Sequence, residues 1–212
     1  MLLHGTHEWY AARLGRFTGY NIHSLLSDGK KAGSFGEGFY TLCFEKAVEI
    51  VFGIDEEWDA LKYNWDVKRG TELEPYAFEF YQSLKARQFI NVEKAYFFPY
   101  GDNSGSTPDG LVGKNGTLQI KCPRPEKIFK LIAEGKDAID PKYISQMNLE
   151  MLSTRSDHAC FFNYAIWNGE PIYHEIIIEP DKSIQNKIDD RIGHGVEQRD
   201  KYVKMLKNKK QF

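Results

Sequence analysis

Cysteine is scarce in this sequence: three residues in 212, Cys43, Cys122 and Cys160, odd in number and far apart. That spacing makes neither a disulfide framework nor a zinc motif, and it is the usage expected of a reducing cytoplasm. No apolar run is long enough to span a bilayer. Met1-Leu2-Leu3 gives way at once to His4 and Glu8, so no signal peptide is expected. Histidine is also thin: His4 and His7 are close, but no third ligand follows at helical or strand spacing. An excess of positive charge is missing too, the formal net charge being −2. A nucleic-acid binder with this balance must gather its cations locally. Two clusters are visible, Lys30-Lys31 in a glycine-rich loop and Lys204, Lys207, Lys209 and Lys210 near the C-terminus. For the tail, solubility is the plainer explanation.

What is present is enough apolar material for a packed fold, with 42% hydrophobic and 14% aromatic residues. The length fits a single domain over 1–212. Thr6 reads as the N-cap of a short helix over 8–14 that Gly15 closes. Residues 21–26 add a turn, and 27–38 form a glycine-rich loop. Helical spacing returns over 39–52 and over 66–84, where Pro75 has to occupy a first turn or a break. The middle is β, with strands expected over 95–99, 107–112 and 116–121. Lys114-Asn115-Gly116 is a hairpin turn between the last two. Helices over 126–134 and 141–153 follow, then strands over 158–167 and 171–178 joined by Asn168-Gly169. Asp181 caps a last helix. The expected fold is α/β (α+β), a central mixed sheet flanked by helices.

The most informative stretch is Ser106-Thr107-Pro108-Asp109-Gly110 followed by Leu118-Gln119-Ile120-Lys121-Cys122-Pro123. It puts an acid at the start of one strand. On the next strand, positions 119 and 121 are two apart and project to one face. An acid and a lysine brought together in this way suit phosphodiester hydrolysis around a divalent metal. Mg²⁺ takes hard oxygen ligands and keeps several waters. It lowers the pKa of one of them, and a lysine stabilises the charge that develops. Ile120 points into the core while its carbonyl stays available to the metal. Glu74, with Glu72 as competitor, is a further acid on the helix over 66–84; a helix-start carboxylate is the alternative reading. Pro-Asp-Gly alone is a common turn, and Gln-x-Lys alone a solvated strand face; their order and their shared hairpin are what point to a site.

Five segments together resemble the YqaJ-type viral recombinase nucleases, the family of phage lambda exonuclease within the PD-(D/E)xK superfamily. Trp9 to Thr18 is similar to its W-x-x-x-R-x-G-x-x-T segment, and Arg69 to Pro75 to its G-x-x-x-E helix. Thr107-Pro108-Asp109-Gly110 resembles S-P-D-G, and Leu118 to Pro123 resembles L-E-x-K-C-P. Tyr143 to Asn148 resembles Y-x-x-Q-x-Q. The resemblance implies a PD-(D/E)xK core and a Mg²⁺-dependent exonuclease, with Mn²⁺ as a substitute, that resects one strand 5′→3′ from a duplex DNA end. It implies a homotrimer, a single-strand annealing protein as partner, and a bacterial or phage-infected cytoplasm. By position, Asp109, residue 119 and the Ile120 carbonyl would ligate metal, Glu74 would bind a second metal or its water, and Lys121 would be the catalytic lysine. Gln146 would hold the site, a core-edge amide being the alternative. Arg13 would grip a terminal phosphate, which a bidentate guanidinium suits; otherwise it is a surface ion pair. Trp9 shares its face and would stack on a terminal base or pack the helix. Thr18 completes this phosphate-binding segment.

Two positions depart from the pattern. Tyr20 stands where a serine near the phosphate pocket is familiar. Gln119 stands where the family has Glu, and a neutral amide offers one weak oxygen in place of an anion. Metal affinity and cleavage are expected to suffer while fold and DNA grip survive. Other readings are a non-catalytic DNA-end-binding module, an interaction domain with an Asp109–Lys121 ion pair, and an endonuclease of the same superfamily. Binding is expected to be independent of sequence and steeply salt-dependent.

Overall fold

The computed structural model describes residues 6–53 and 65–209. His4 and Lys210 lie outside them. Thr6 caps α1 (His7–Arg13), its side chain accepting from the Trp9 N–H, and Gly15 follows the helix at φ +68°. β1 (Phe17–Thr18) and α2 (Ile22–Leu25) lead through the glycine-rich loop to α3 (Glu37–Phe52) and α4 (Trp65–Ala86). The strands β2 (Val92–Lys94), β3 (Phe98–Tyr100), β4 (Ser104–Ser106), β5 (Gly110–Val112) and β6 (Gly116–Lys121) come next. Then follow α5 (Pro125–Glu134), α6 (Pro141–Thr154), β7 (His158–Trp167), β8 (Glu170–Ile178) and α7 (Lys182–Lys209). Among the described residues no helix is long and apolar enough to cross a membrane.

The expected mixed sheet is present, in the order β2-β5-β6-β7-β8, with β6 and β7 parallel and the other neighbours antiparallel. Alternation along β7 packs it on both sides. Phe162 joins Phe78, Tyr81, Leu118 and Ile120 under α4, whereas Phe161 joins Met147, Met151 and Ile176 under α6. Each such burial stabilises by roughly 1.5–3 kcal/mol. Ile120 faces α4, so its neighbours Gln119 and Lys121 face the α6 side.

Several expectations need correction. A second sheet of three strands, β1-β4-β3, was not anticipated, because β1 is only two residues long and pairs in parallel with the distant β4. The strand expected over 95–99 falls on the crossing between β2 and β3, which lie in different sheets; only its last two residues belong to β3, and Ala95 and Phe97 are buried in the crossing. The strand expected over 107–112 begins only at Gly110, since Pro108 has no N–H to give a ladder. The turn before β6 uses Gly113 at φ +57°; Gly116 is already in the strand. Asn168-Gly169 does make the β7–β8 turn, both residues having positive φ. Pro75 lies inside α4, on its exposed side, where solvent can replace the bond a proline cannot donate. Glu74 is therefore an interior helix residue, and a helix-start role is excluded. Asp181 caps α7 as expected, accepting from the Ser183 and Ile184 N–H groups.

Candidate active site

The loop between β4 and β5 delivers Asp109 to the edge of β6, where its own N–H donates to the Leu118 carbonyl. Asp109 Oδ2 accepts from the Ile120 N–H and from Gln119 Nε2, both at 2.6 Å. Gln119 Oε1 in turn accepts from Gln146 Nε2 at 2.5 Å, and that nitrogen also donates to Glu150 Oε1 at 2.8 Å. Two amides thus link two carboxylates across the boundary between β6 and α6. Lys121, on the same face as Gln119, stands 5.0 Å from the centre of the Tyr143 ring. Glu74 reaches the same cleft from α4. Glu72 is exposed.

The cleft measures about 810 Å³. Tyr20, Glu74, Ile120, Lys121 and Tyr143 line it, together with cations that the sequence reading did not single out: Arg69, Arg124, Lys127 and Lys142. Arg124 and Lys127 are close in sequence at the start of α5, whereas Arg69 comes from α4 and Lys142 from α6, and only the fold brings the three segments together. In a chain of net charge −2, a local concentration of positive charge is gathered here. Lys30, Lys31 and the C-terminal lysines within the described residues are exposed and do not line the cleft.

Burial dominates the electrostatics. It pushes Asp109 up to about 6, with Lys121 opposing and the negative charge of Glu74 adding to the rise. Glu150 is driven well above the usual carboxylate range by burial and by Asp109, against Gln146 and Lys121. Glu150 Oε2 is buried without a hydrogen-bond partner. These groups fit a divalent cation: hard oxygens, an excess of negative charge, and an acid oxygen left unsatisfied. No set of three His, Cys, Asp or Glu side chains among the described residues is close enough to hold one unaided. A cation here would draw on the Ile120 carbonyl and the Gln119 amide oxygen as well as on Asp109. Burial pushes the Cys122 thiol up to about 12, which excludes it as a nucleophile at neutral pH.

The N-terminal segment forms a second group. The Arg13 guanidinium lies 3.7 Å above the Trp9 ring and donates to Thr18 Oγ1 at 3.3 Å. Burial lowers Arg13 to about 10, opposed by Glu49 and Tyr10, so it stays charged at neutral pH. Trp9 is only 4% exposed, and its Nε1 donates to Thr107 Oγ1 at 3.0 Å. Stacking of Trp9 on a terminal base is therefore replaced by packing: Trp9 supports Arg13 and ties α1 to the loop that carries Asp109. Thr18, 3% exposed, likewise positions Arg13 and does not meet a ligand itself. Gly19 passes over α6, where a Cβ would come within 3.4 Å of Gln146 and 3.7 Å of Glu150. Tyr20, 70% exposed, opens onto the cleft. Asn148 is fully buried and structural, donating to the Ile144 carbonyl and accepting from the Asp181 N–H.

This arrangement matches a family model, the YqaJ-like viral recombinase domain, over residues 8–157. The chain belongs to that family. The match runs from α1 to the end of α6 and so takes in Arg13, Glu74, Asp109, Gln119, Lys121 and Gln146. Among solved structures the chain is similar to an alkaline exonuclease, LHK-Exo, from Laribacter hongkongensis. The identity is 28% and the TM-score 0.77, over 96% of this chain and 97% of that one. LHK-Exo in complex with dAMP matches with a TM-score of 0.76 at 28% identity, over the same shares of the two chains. A phage-related exonuclease from Haemophilus somnus 129PT shares the fold at 16% identity, with a TM-score of 0.70 over 90% of this chain and 96% of that one. No curated protein gives a significant match. The YqaJ-like fold expected from the five motifs is thus present. Glu150 is the residue that sequence reasoning missed. Its only signal was its place four residues after Gln146, on the same helix face.

Proposed function

We propose that this YqaJ-family chain is a divalent-metal-dependent deoxyribonuclease that degrades one strand of duplex DNA from an end, 5′→3′, as a single domain. The observation that carries this reading is Asp109 hydrogen-bonded to Gln119 and to the Ile120 N–H, where Ile120 and Lys121 line a cation-rich cleft. The exonucleases it resembles support it. Mg²⁺, or Mn²⁺ in its place, would be held by Asp109, the Ile120 carbonyl, the Gln119 oxygen and Glu74. When bound it would acidify a ligated water and screen the phosphate. Lys121 would orient an attacking water and offset the negative charge that builds on the phosphate. Gln146 fixes the amide of Gln119 and hence which of its atoms faces Asp109. Family membership favours a ring of three copies in the cytoplasm, handing the remaining strand to an annealing protein.

The test is digestion of linear and covalently closed duplexes, with each strand labelled in turn, in Mg²⁺ and in EDTA. Loss of the 5′-ended strand from linear DNA alone is expected; cutting of closed circles would favour an endonuclease. Binding to DNA ends with no turnover by either the Gln or the Glu form at position 119 would favour a binding module.

Position 119 sets how fast that digestion runs. Glu would add the anion that Gln withholds, with nearly the same shape. Gln119→Glu is expected to tighten Mn²⁺ binding, to speed digestion at least tenfold and to raise the melting temperature in the presence of Mn²⁺. Equal rates for the two forms would remove the idea that Gln119 impairs cleavage.

Arg13 is held ready by Trp9 and Thr18. Arg13→Lys keeps the charge but loses the fork that matches a phosphate. The preference for 5′-phosphorylated over 5′-hydroxyl ends is expected to fall about tenfold. Rates on the two substrates, measured side by side, check this; an unchanged preference would separate Arg13 from the end phosphate.

A further inference from the structure

Glu150 lies outside every motif that marks the site, and it is fully buried, 0% exposed. An acid kept for packing is expected to satisfy both oxygens. Glu150 satisfies one. Oε1 accepts from Gln146 Nε2, while Oε2 has no partner. The Gln146 nitrogen that binds Oε1 is also the one that binds Gln119 Oε1. The Glu150 carboxylate is thus one shared donor away from the position where the family has an acid and this chain has an amide. Gln146 and Glu150 sit at i and i+4 on α6, on the face turned to β6.

We propose that Glu150 supplies, from α6, the carboxylate that position 119 lacks on β6. The carboxyl that the strand lacks stands on the helix, one shared donor farther off, so the replacement is partial and a Glu at 119 would still add to metal affinity. Gln119 then has a separate role: its amide donates to Asp109 and spares it a second carboxylate at hydrogen-bond distance. Asp109, the Ile120 carbonyl and Glu150 hold the cation, and Gln146 is the pivot between the strand and the helix. A Glu150 that served only to orient the Gln146 amide would leave metal affinity to Asp109 and Glu74.

This inference rests on the reading of the site as a divalent-metal nuclease, so its test reads metal binding without DNA. Mn²⁺ affinity is measured by electron paramagnetic resonance for the unaltered protein, Glu150→Gln, Gln119→Glu, and the double exchange Gln119→Glu with Glu150→Gln. Melting curves confirm that each is folded. Glu150→Gln is expected to weaken Mn²⁺ at least tenfold, and the double exchange to restore it to within about threefold of the starting value. Unchanged affinity in Glu150→Gln overturns the proposal, and so does a folded double exchange that binds as weakly as Glu150→Gln alone. If neither the unaltered protein nor Gln119→Glu binds Mn²⁺, the metal reading itself fails, and this proposal with it. Should Glu150→Gln not fold, crystals of the unaltered protein soaked in Mn²⁺ decide the matter. An anomalous peak at ordinary cation–oxygen distance, about 2.0–2.4 Å, from a Glu150 oxygen supports the assignment; a peak on Asp109 without Glu150, or no peak, overturns it.

Discussion

Lys121→Ala is expected to slow strand degradation by about two to three orders of magnitude, the usual cost of removing one preorganised donor from a phosphoryl or acyl transfer site. Lys121 ends β6 at the cleft, partly exposed, so its loss leaves no unfilled core. Stability should change by less than about 1 kcal/mol. DNA affinity should change far less than rate, because Arg69, Arg124, Lys127 and Lys142 still line the cleft. Single-turnover digestion of an end-labelled duplex, with affinity measured separately in Ca²⁺, distinguishes the two effects. A rate loss below tenfold, or one matched by lost affinity, would reduce Lys121 to a binding residue.

Asp109→Asn is expected to abolish digestion and yet stabilise the metal-free protein. The carboxyl of Asp109 is pushed up to about 6, chiefly by burial. Its unfolded value is about 3.9. Between about pH 4 and 6 the folded state therefore holds the extra proton, and stability falls as pH rises across that window and remains lower above it. Asn carries no such proton and can still accept from the Ile120 N–H and Gln119 Nε2. The variant's advantage should be absent below about pH 4 and reach about 2–3 kcal/mol above pH 6. Mn²⁺ should raise the melting temperature of the native protein and not that of Asp109→Asn. Melting in EDTA from pH 4 to 8, repeated with metal, checks both effects. A destabilised Asn variant at neutral pH, or an advantage that shrinks as pH rises, would contradict the buried-acid account.

Both outcomes depend on residues legible before any coordinates. Period-two alternation places Gln119 and Lys121 on one face of β6 whatever surrounds them, and the Asn-Gly hairpin marks β7 and β8 to within a residue. Short, strongly patterned elements of this kind are set by local sterics and hydrogen bonding. Elements set by distant partners were not legible. β1 is a strand only because β4 lies beside it. For Trp9 the sequence left base stacking and helix packing both open, and the fold placed Thr107 against its indole nitrogen.

The sequence alone determined the chemistry at each position: the acid and lysine of a nuclease site, the amide at 119, and the family to which they belong. Only the tertiary structure decided what those groups face. It gathered the cleft's cations from three separate segments, put Trp9 under Arg13, and set Glu150 against the Gln146 nitrogen that also holds Gln119. The reason is the range of the forces. Backbone geometry and turn chemistry act over a few residues and leave a periodic trace, whereas burial and charge act between side chains that meet only after the chain has closed on itself.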